Sequence, residues 1–85
     1  MLFEIRELDC VLYDDMWSEN TSYHIGEFKS DCYGDGLKRS FTRALRERFG
    51  IRFKLNRTLI VDDGEFLSVI DRKTKEPLFV AIPKA

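Results

Sequence analysis

The first stretch of the chain alternates apolar and polar residues, which predicts a strand over residues 3–13. Side chains of a strand point to opposite faces in turn, so apolar residues two apart share a face. The apolar positions are Phe3, Ile5, Leu8, Cys10 and Leu12. Their parity changes near Glu7, and this change of phase predicts either a β-bulge or a break between two short strands.

A second strand is predicted over residues 21–29, after the turn-forming residues 14–20. Its apolar positions are Tyr23, Ile25 and Phe28. Gly26 interrupts their pattern, which predicts either another bulge or the close approach of a second element.

A helix is predicted from Leu37 to Phe49, because apolar residues recur there with the spacing of one helical stripe. They are Leu37, Phe41, Ala44, Leu45 and Phe49. Asp35 is the predicted N-cap of this helix. Gly50 stands where a left-handed residue commonly ends a helix.

The period of two returns after the helix and predicts the remaining strands. Residues 51–55 alternate in this way, and the strand, or a pair of short strands, continues to Val61. Asp63-Gly64 predicts a hairpin turn over residues 62–65, because Asp-Gly accepts the positive φ angles of tight turns. The last predicted elements are a strand over 66–71, a polar turn over 72–77 and a strand over 78–82.

The predicted elements follow in the order β-β-α-β-β-β. One helix cannot cover both faces of a mainly antiparallel sheet, so the predicted fold is α+β, a two-layer sandwich with one amphipathic helix on the sheet. The 85 residues predict a single domain over 1–85. Glutamates interrupt the first apolar residues, and the longest apolar run, 78–82, is too short to cross a bilayer. The predicted location is the cytoplasm.

The formal net charge of −1 hides an uneven distribution. Residues 1–36 hold nine acids and two bases, residues 37–57 hold eight bases and one acid, and residues 58–85 hold five acids and four bases. The predicted helix and the start of the next strand are therefore basic within an acidic chain. Arg52 and Lys54 point away from the apolar face of their strand, which predicts a second basic patch separate from the helix.

Arg39, Arg43 and Arg46 share the face of the predicted helix that lies opposite the apolar stripe. Such a face can bind an anion, most readily the phosphates of a nucleic-acid backbone. More often, such an arrangement is a solvated helix face, whose charge the acidic N-terminal third would balance through space. A third interpretation is an electrostatic protein interface, either between copies of the chain or with another partner.

Trp17, Tyr23 and Tyr33 lie among acidic residues, in or near the predicted turns. Aromatic side chains in such places commonly anchor protein contacts. They also commonly close the end of a small core, so both interpretations stay open.

Residues that could carry catalysis or bind a metal are few. Cys10 and Cys32 are too few for a disulfide framework, and together with the single histidine, His24, they match no zinc-ligand spacing. No nucleophile or orienting acid stands at a recognisable offset from His24. The carboxylates of residues 62–65 are explained by the hairpin turn and lack the longer ligand pattern of a calcium loop. We therefore predict no catalytic residue, no metal and no cofactor.

Three stretches of sequence carry a resemblance to a known group. They are residues 17–20 (WSEN) with 24–28 (HIGEF), residues 44–46 (ALR) and residues 71–79 (DRKTKEPLF). Together they resemble small, uncharacterised proteins carried by phages and conjugative elements of Gram-positive bacteria. The resemblance implies a bacterial mobile-element setting and a non-enzymatic accessory role.

Two functional hypotheses follow. The first is a small non-enzymatic binding or adaptor protein that acts through protein–protein contacts, with the acidic N-terminal third as one surface. The alternative is a nucleic-acid-binding accessory protein that uses Arg39, Arg43 and Arg46. Neither hypothesis involves a membrane.

Overall fold

The structure, a computed structural model, describes residues 1–51 and 57–84. These described residues form one helical segment and five strands in succession. They are β1 (Leu2–Tyr13), β2 (Met16–Lys29), α1 (Asp35–Arg43) continued by a π-helical turn (Ala44–Arg48), β3 (Thr58–Asp62), β4 (Leu67–Asp71) and β5 (Pro77–Lys84). The strands form one sheet in the order β2-β1-β5-β4-β3, and every neighbouring pair is antiparallel. The predicted α+β class, with one helix and an antiparallel sheet, is confirmed.

The N-terminal hairpin is much tighter than predicted. Asp14 and Asp15 alone form the turn, with φ angles of 50° and 63°, and β2 already begins at Met16. The prediction of a seven-residue turn over residues 14–20 is therefore wrong. Two successive positive φ angles match the right-handed twist of hairpin strands, and aspartate tolerates this conformation better than most residues.

The predicted irregularity in the first hairpin exists, but β1 does not break. The pairing of β1 with β2 shifts between Ile5 and Arg6 and again between Asp9 and Cys10. Both extra residues, Ile25 and Asn20, lie on β2. β1 is therefore one continuous strand. Its first apolar residues, Phe3 and Ile5, lie on the face covered by the helix, whereas the later, half-buried Leu8 and Cys10 lie on the other face of the sheet.

The helix begins at Asp35, so the prediction of Asp35 as the N-cap is wrong. Gly34 occupies that position with a φ of 57°, and no side chain caps the first turn. Asp35 instead places a carboxylate in the first turn, where it is favourable to the helix dipole. The other end is confirmed, because Gly50 has a φ of 67° and the Ile51 amide beyond it donates to the carbonyl of Leu45 at 2.8 Å.

The core joins the helix to one face of the sheet. Its buried apolar residues are Phe3, Ile5, Phe28, Phe41, Ala44, Leu45, Leu67, Val69, Phe79 and Ala81. The ring of Phe28 stacks on Phe3 with 5.1 Å between centroids and on Phe41 with 5.8 Å. These three rings tie β1, β2 and α1 together, and the buried helical residues belong to the predicted stripe.

The two C-terminal hairpins follow the predicted turn chemistry. Asp63 accepts hydrogen bonds from the amides of Glu65 and Phe66, and Gly64 has a φ of 93°. Asp71 accepts in the same way from two amides in the turn between β4 and β5. The strand predicted over residues 51–55, with the second basic patch at Arg52 and Lys54, lies outside the described residues apart from Ile51.

Candidate interaction surfaces

The first hairpin extends beyond the rest of the sheet. Strand β1 pairs with β5 only from Leu2 to Glu7, whereas it pairs with β2 as far as Tyr13. Residues 8–22 therefore form a two-stranded ribbon, which we call the hairpin arm. Its tip exposes large apolar side chains, whose exposed fractions are Val11 48%, Leu12 53%, Tyr13 72% and Met16 70%. We did not predict this surface, because alternating apolar residues are also typical of a half-buried strand.

The hairpin arm is also acidic throughout. It carries four carboxylates and neither lysine nor arginine. These are Asp9, Asp14, Asp15 and Glu19. Within the described residues none of the four has a cationic side chain within 4.0 Å. The arm therefore presents apolar side chains surrounded by uncompensated negative charge.

Trp17 fastens the hairpin arm to the body of the protein. Its side chain is half-buried, and its indole Nε1 donates to the carbonyl of Thr74, at 2.9 Å, in the turn between β4 and β5. The indole bond limits the freedom of the arm relative to the sheet.

Cys10 lies half-buried on the arm, and burial raises the pKa of its thiol. The nearby carboxylates of Glu76 and Glu19 raise the pKa of the thiol further.

The two tyrosines predicted as contact residues lie elsewhere. Tyr23, on β2, is 56% exposed and pairs with Glu7 of β1. Tyr33 is 86% exposed in the loop before α1, where it lines a cavity of about 430 Å³ together with Leu37 and Phe66. The structure therefore places Trp17, Tyr23 and Tyr33 at three different sites and does not gather them into one surface.

The predicted arginine face lines a groove between α1 and β3, which we call the basic groove. Its volume is about 700 Å³. Its lining residues are Asp35, Lys38, Arg39, Thr42, Arg43, Arg46, Glu47, Leu59 and Ile60. Arg39, Arg43 and Arg46 are all exposed, and in the described part of the chain no carboxylate forms an ion pair with them. Lys38 and the two apolar residues of β3, Leu59 and Ile60, were not predicted as part of this surface.

Arg48 does not belong to the basic groove. Its Nη1 donates to the carbonyl of Glu27 at 2.9 Å, and its guanidinium lies 5.4 Å from the ring centroid of Phe49. These contacts hold the π-helical end of the helix against β2. Arg48 therefore has a structural role at the end of the helix.

A small polar network crosses β1 and β2 on the face that turns away from the helix. Glu4 Oε2 lies 2.7 Å from Nδ1 of His24 and 3.1 Å from Nη1 of Arg6. The hydrogen bond with His24 is the main reason that the pKa of Glu4 is lowered. Arg6 Nε donates to the hydroxyl of Ser22 at 2.8 Å, and Arg6 Nη2 donates to the Ser22 carbonyl at 3.2 Å. The network supports strand pairing and provides no activated nucleophile.

Three findings bear on the chemistry of these surfaces. Over residues 1–51 and 57–84, no three His, Cys, Asp or Glu side chains are grouped so that they could hold a metal ion. In the same residues no helix is long and apolar enough to cross a bilayer. Comparisons with protein-family models, curated proteins and solved structures give no match to this chain, so the resemblance to mobile-element proteins stays a prediction.

Proposed function

We propose that the protein is a small, non-enzymatic binding protein that acts through protein contacts made by its hairpin arm. The observation that carries the proposal is the exposure of Val11, Leu12, Tyr13 and Met16 at one end of the molecule. Single exposed apolar residues are normal, but several on both faces of one projecting element are typical of an interaction site.

The arm has the features of a preorganised contact surface. Trp17 bonds to the turn between β4 and β5, so less conformational entropy is lost when a partner binds. Large side chains such as Tyr13 and Met16 supply contact area, and aromatic residues are enriched among those that dominate binding energy. The surrounding carboxylates favour a partner with a positively charged rim and speed the encounter with it.

The proposal takes the helix and the sheet as the two layers of a sandwich, which their shared apolar cluster supports. It leaves the hairpin arm outside that core. It also places the protein in the cytoplasm, since free Cys10 and Cys32 suit a reducing compartment.

Replacing Leu12 and Tyr13 with threonine should strongly reduce partner capture and leave the fold intact. Threonine keeps the β-propensity of these positions but removes the apolar surface. Two truncated contact residues are expected to weaken binding by at least about tenfold. The measurement is affinity capture of the tagged protein from its own source cells, with quantitative mass spectrometry of the proteins retained.

The matched control replaces Val61 and Ile82 with threonine. These residues are 37% and 38% exposed and lie on the body of the sheet, away from the arm. The control should retain the same proteins as the parent chain. Equal recovery of those proteins with the Leu12/Tyr13 variant would show that the arm is not the contact surface.

A second candidate function is binding of a nucleic-acid backbone in the basic groove. The observation that favours it is that Arg39, Arg43 and Arg46 are exposed, without an ion pair among the described residues. Three arginines on one helical face together with Lys38 can contact successive phosphates.

Nucleic-acid binding predicts a strong dependence of affinity on salt. Replacing Arg39, Arg43 and Arg46 with glutamine should weaken binding to a labelled duplex and lower the salt slope by up to about three, since each lost phosphate contact removes about 0.9. Fluorescence anisotropy over a salt series measures both quantities. The control, in which Lys29, Lys73 and Lys75 become glutamine, removes the same charge elsewhere. Equal losses in the two variants would exclude the groove as the binding site.

A further inference from the structure

We infer that the hairpin arm of one copy of the chain docks into the basic groove of a second copy. This inference rests on the proposed use of the arm as a protein-contact surface, and it names the partner. The arm and the groove carry opposite charges, and within the described residues neither surface has an ion-pair partner for its charged side chains.

The two surfaces are complementary in charge. The arm offers four carboxylates without a lysine or arginine. The groove offers Lys38, Arg39, Arg43 and Arg46 against only two acids, Asp35 and Glu47. Opposite potentials of this kind steer encounter and fix which surfaces meet.

The two surfaces are also complementary in polarity. Leu59 and Ile60 line the groove beside the cations, and Tyr13 and Met16 form the apolar tip of the arm. A nucleic-acid backbone would leave Leu59, which is 39% exposed, without an apolar partner and would place phosphates near Asp35 and Glu47. The arm can cover the apolar floor and still pair its carboxylates with the cations. This difference favours the arm as the occupant.

The arm cannot reach the groove of its own chain. It extends from β2 and β1, whereas the groove lies at β3, and β2 and β3 are the opposite edges of the sheet. Four strand spacings separate these edges, a distance of about 19 Å. The contact must therefore join two copies head to tail, and such contacts propagate into a ring or an open chain.

The first test is the oligomeric state of the nuclease-treated full chain by sedimentation equilibrium. A contact made by one two-stranded ribbon belongs to the small, transient class of interfaces, so a dissociation constant on the order of 100 µM is expected. The mass should rise from the monomer value of 10.0 kDa to at least double that value at a protein concentration of about 1 mM in low salt. It should return to the monomer value in about 0.5 M NaCl, where charges more than a few ångströms apart are screened.

Charge reversal gives the decisive test. One variant carries Asp9→Lys and Glu19→Lys on the arm, and the other carries Arg39→Glu and Arg43→Glu in the groove. Each variant alone should be monomeric, because the arm variant has no net charge left on its arm and the groove variant has an arm and a groove that are both negative. An equimolar mixture should associate again, because the unchanged acidic arm of the groove variant fits the unchanged basic groove of the arm variant.

A milder variant protects the test against misfolding. Asp14→Asn with Asp15→Gly removes two charges and keeps a turn sequence that favours positive φ at both positions. It should weaken self-association by about tenfold and retain the parent melting temperature or exceed it.

Three results would overturn the inference: a parent chain that stays monomeric at all concentrations, reversed variants that each still associate, or a mixture that does not. Binding of a duplex in the groove without self-association would assign the groove to nucleic acid. Failure of this inference leaves the arm free for another protein, because the capture experiment with the Leu12/Tyr13 variant reports on that role independently.

Discussion

Replacing Phe41 with alanine is expected to lower the free energy of unfolding by about 4 kcal/mol. The reason is that a buried phenylalanine truncated to alanine leaves a cavity that the surrounding side chains fill only in part. The side chain is fully buried, with 0% of its surface exposed. Its ring also stacks on Phe28, which in turn stacks on Phe3. Domains of this size commonly have a free energy of unfolding of about 4–13 kcal/mol, so this single change consumes much of it.

Urea unfolding followed by circular dichroism measures the effect of Phe41→Ala. Phe66→Ala serves as the control, because Phe66 is 38% exposed on the turn before β4, and it should cost about 1 kcal/mol or less. Phe41→Leu should fall between the two, since it preserves part of the volume. A free energy of unfolding that falls equally in the Phe41→Ala and Phe66→Ala variants would contradict the position of Phe41 at the centre of the core.

The core position of Phe41 was accessible from sequence because it depends on local periodicity. A helix places residues three and four apart on one face, so Phe41, Ala44 and Leu45 had to share a stripe. The turn at Gly64 and the helix end at Gly50 were accessible for the same reason, since their backbone geometry depends on adjacent residues alone. The order of the strands depends on pairings between distant residues, and no local pattern encodes it.

The first hairpin shows where local reasoning fails. Asp14 and Asp15 both adopt positive φ, although residues other than glycine are usually disfavoured there. The turn is held in this conformation by β2, whose 14 residues pair with β1 on both sides of two bulges. The sequence favoured a longer turn over residues 14–20, because the stabilisation that comes from the pairing of β1 with β2 cannot be read from the turn residues alone.

The candidate surfaces were predictable to different degrees. The shared face of Arg39, Arg43 and Arg46 follows from helical spacing alone. Whether carboxylates neutralise that face depends on where the acidic N-terminal third folds. In the structure its hairpin arm lies at the opposite edge of the sheet from the basic groove. The exposure of Tyr13 and Met16 depends on how far β5 extends along β1, which is again a long-range property.

Replacing Gly26 with alanine is expected to destabilise the protein by about 2 kcal/mol, although alanine is usually better tolerated than glycine in a strand. A Cβ atom built on Gly26 would overlap the ring of Phe49. That ring packs partly buried against the core, with Arg48 lying over it. The ring must therefore move away from β2, which loses packing at the end of the helix. Thermal and urea unfolding of the single variant measure the cost.

A double-mutant cycle with Phe49→Ala separates this close approach from a general effect of the substitution. Once the ring is absent, Gly26→Ala should be neutral or stabilising by up to about 1 kcal/mol, because glycine in a strand interior loses more backbone entropy on folding. The coupling between the two positions is then about 2–3 kcal/mol, within the range measured for residues in contact. An equal cost of Gly26→Ala with and without the ring would contradict the contact between β2 and the helix end. A cost confined to the background with the ring would explain why glycine interrupts the apolar pattern of β2.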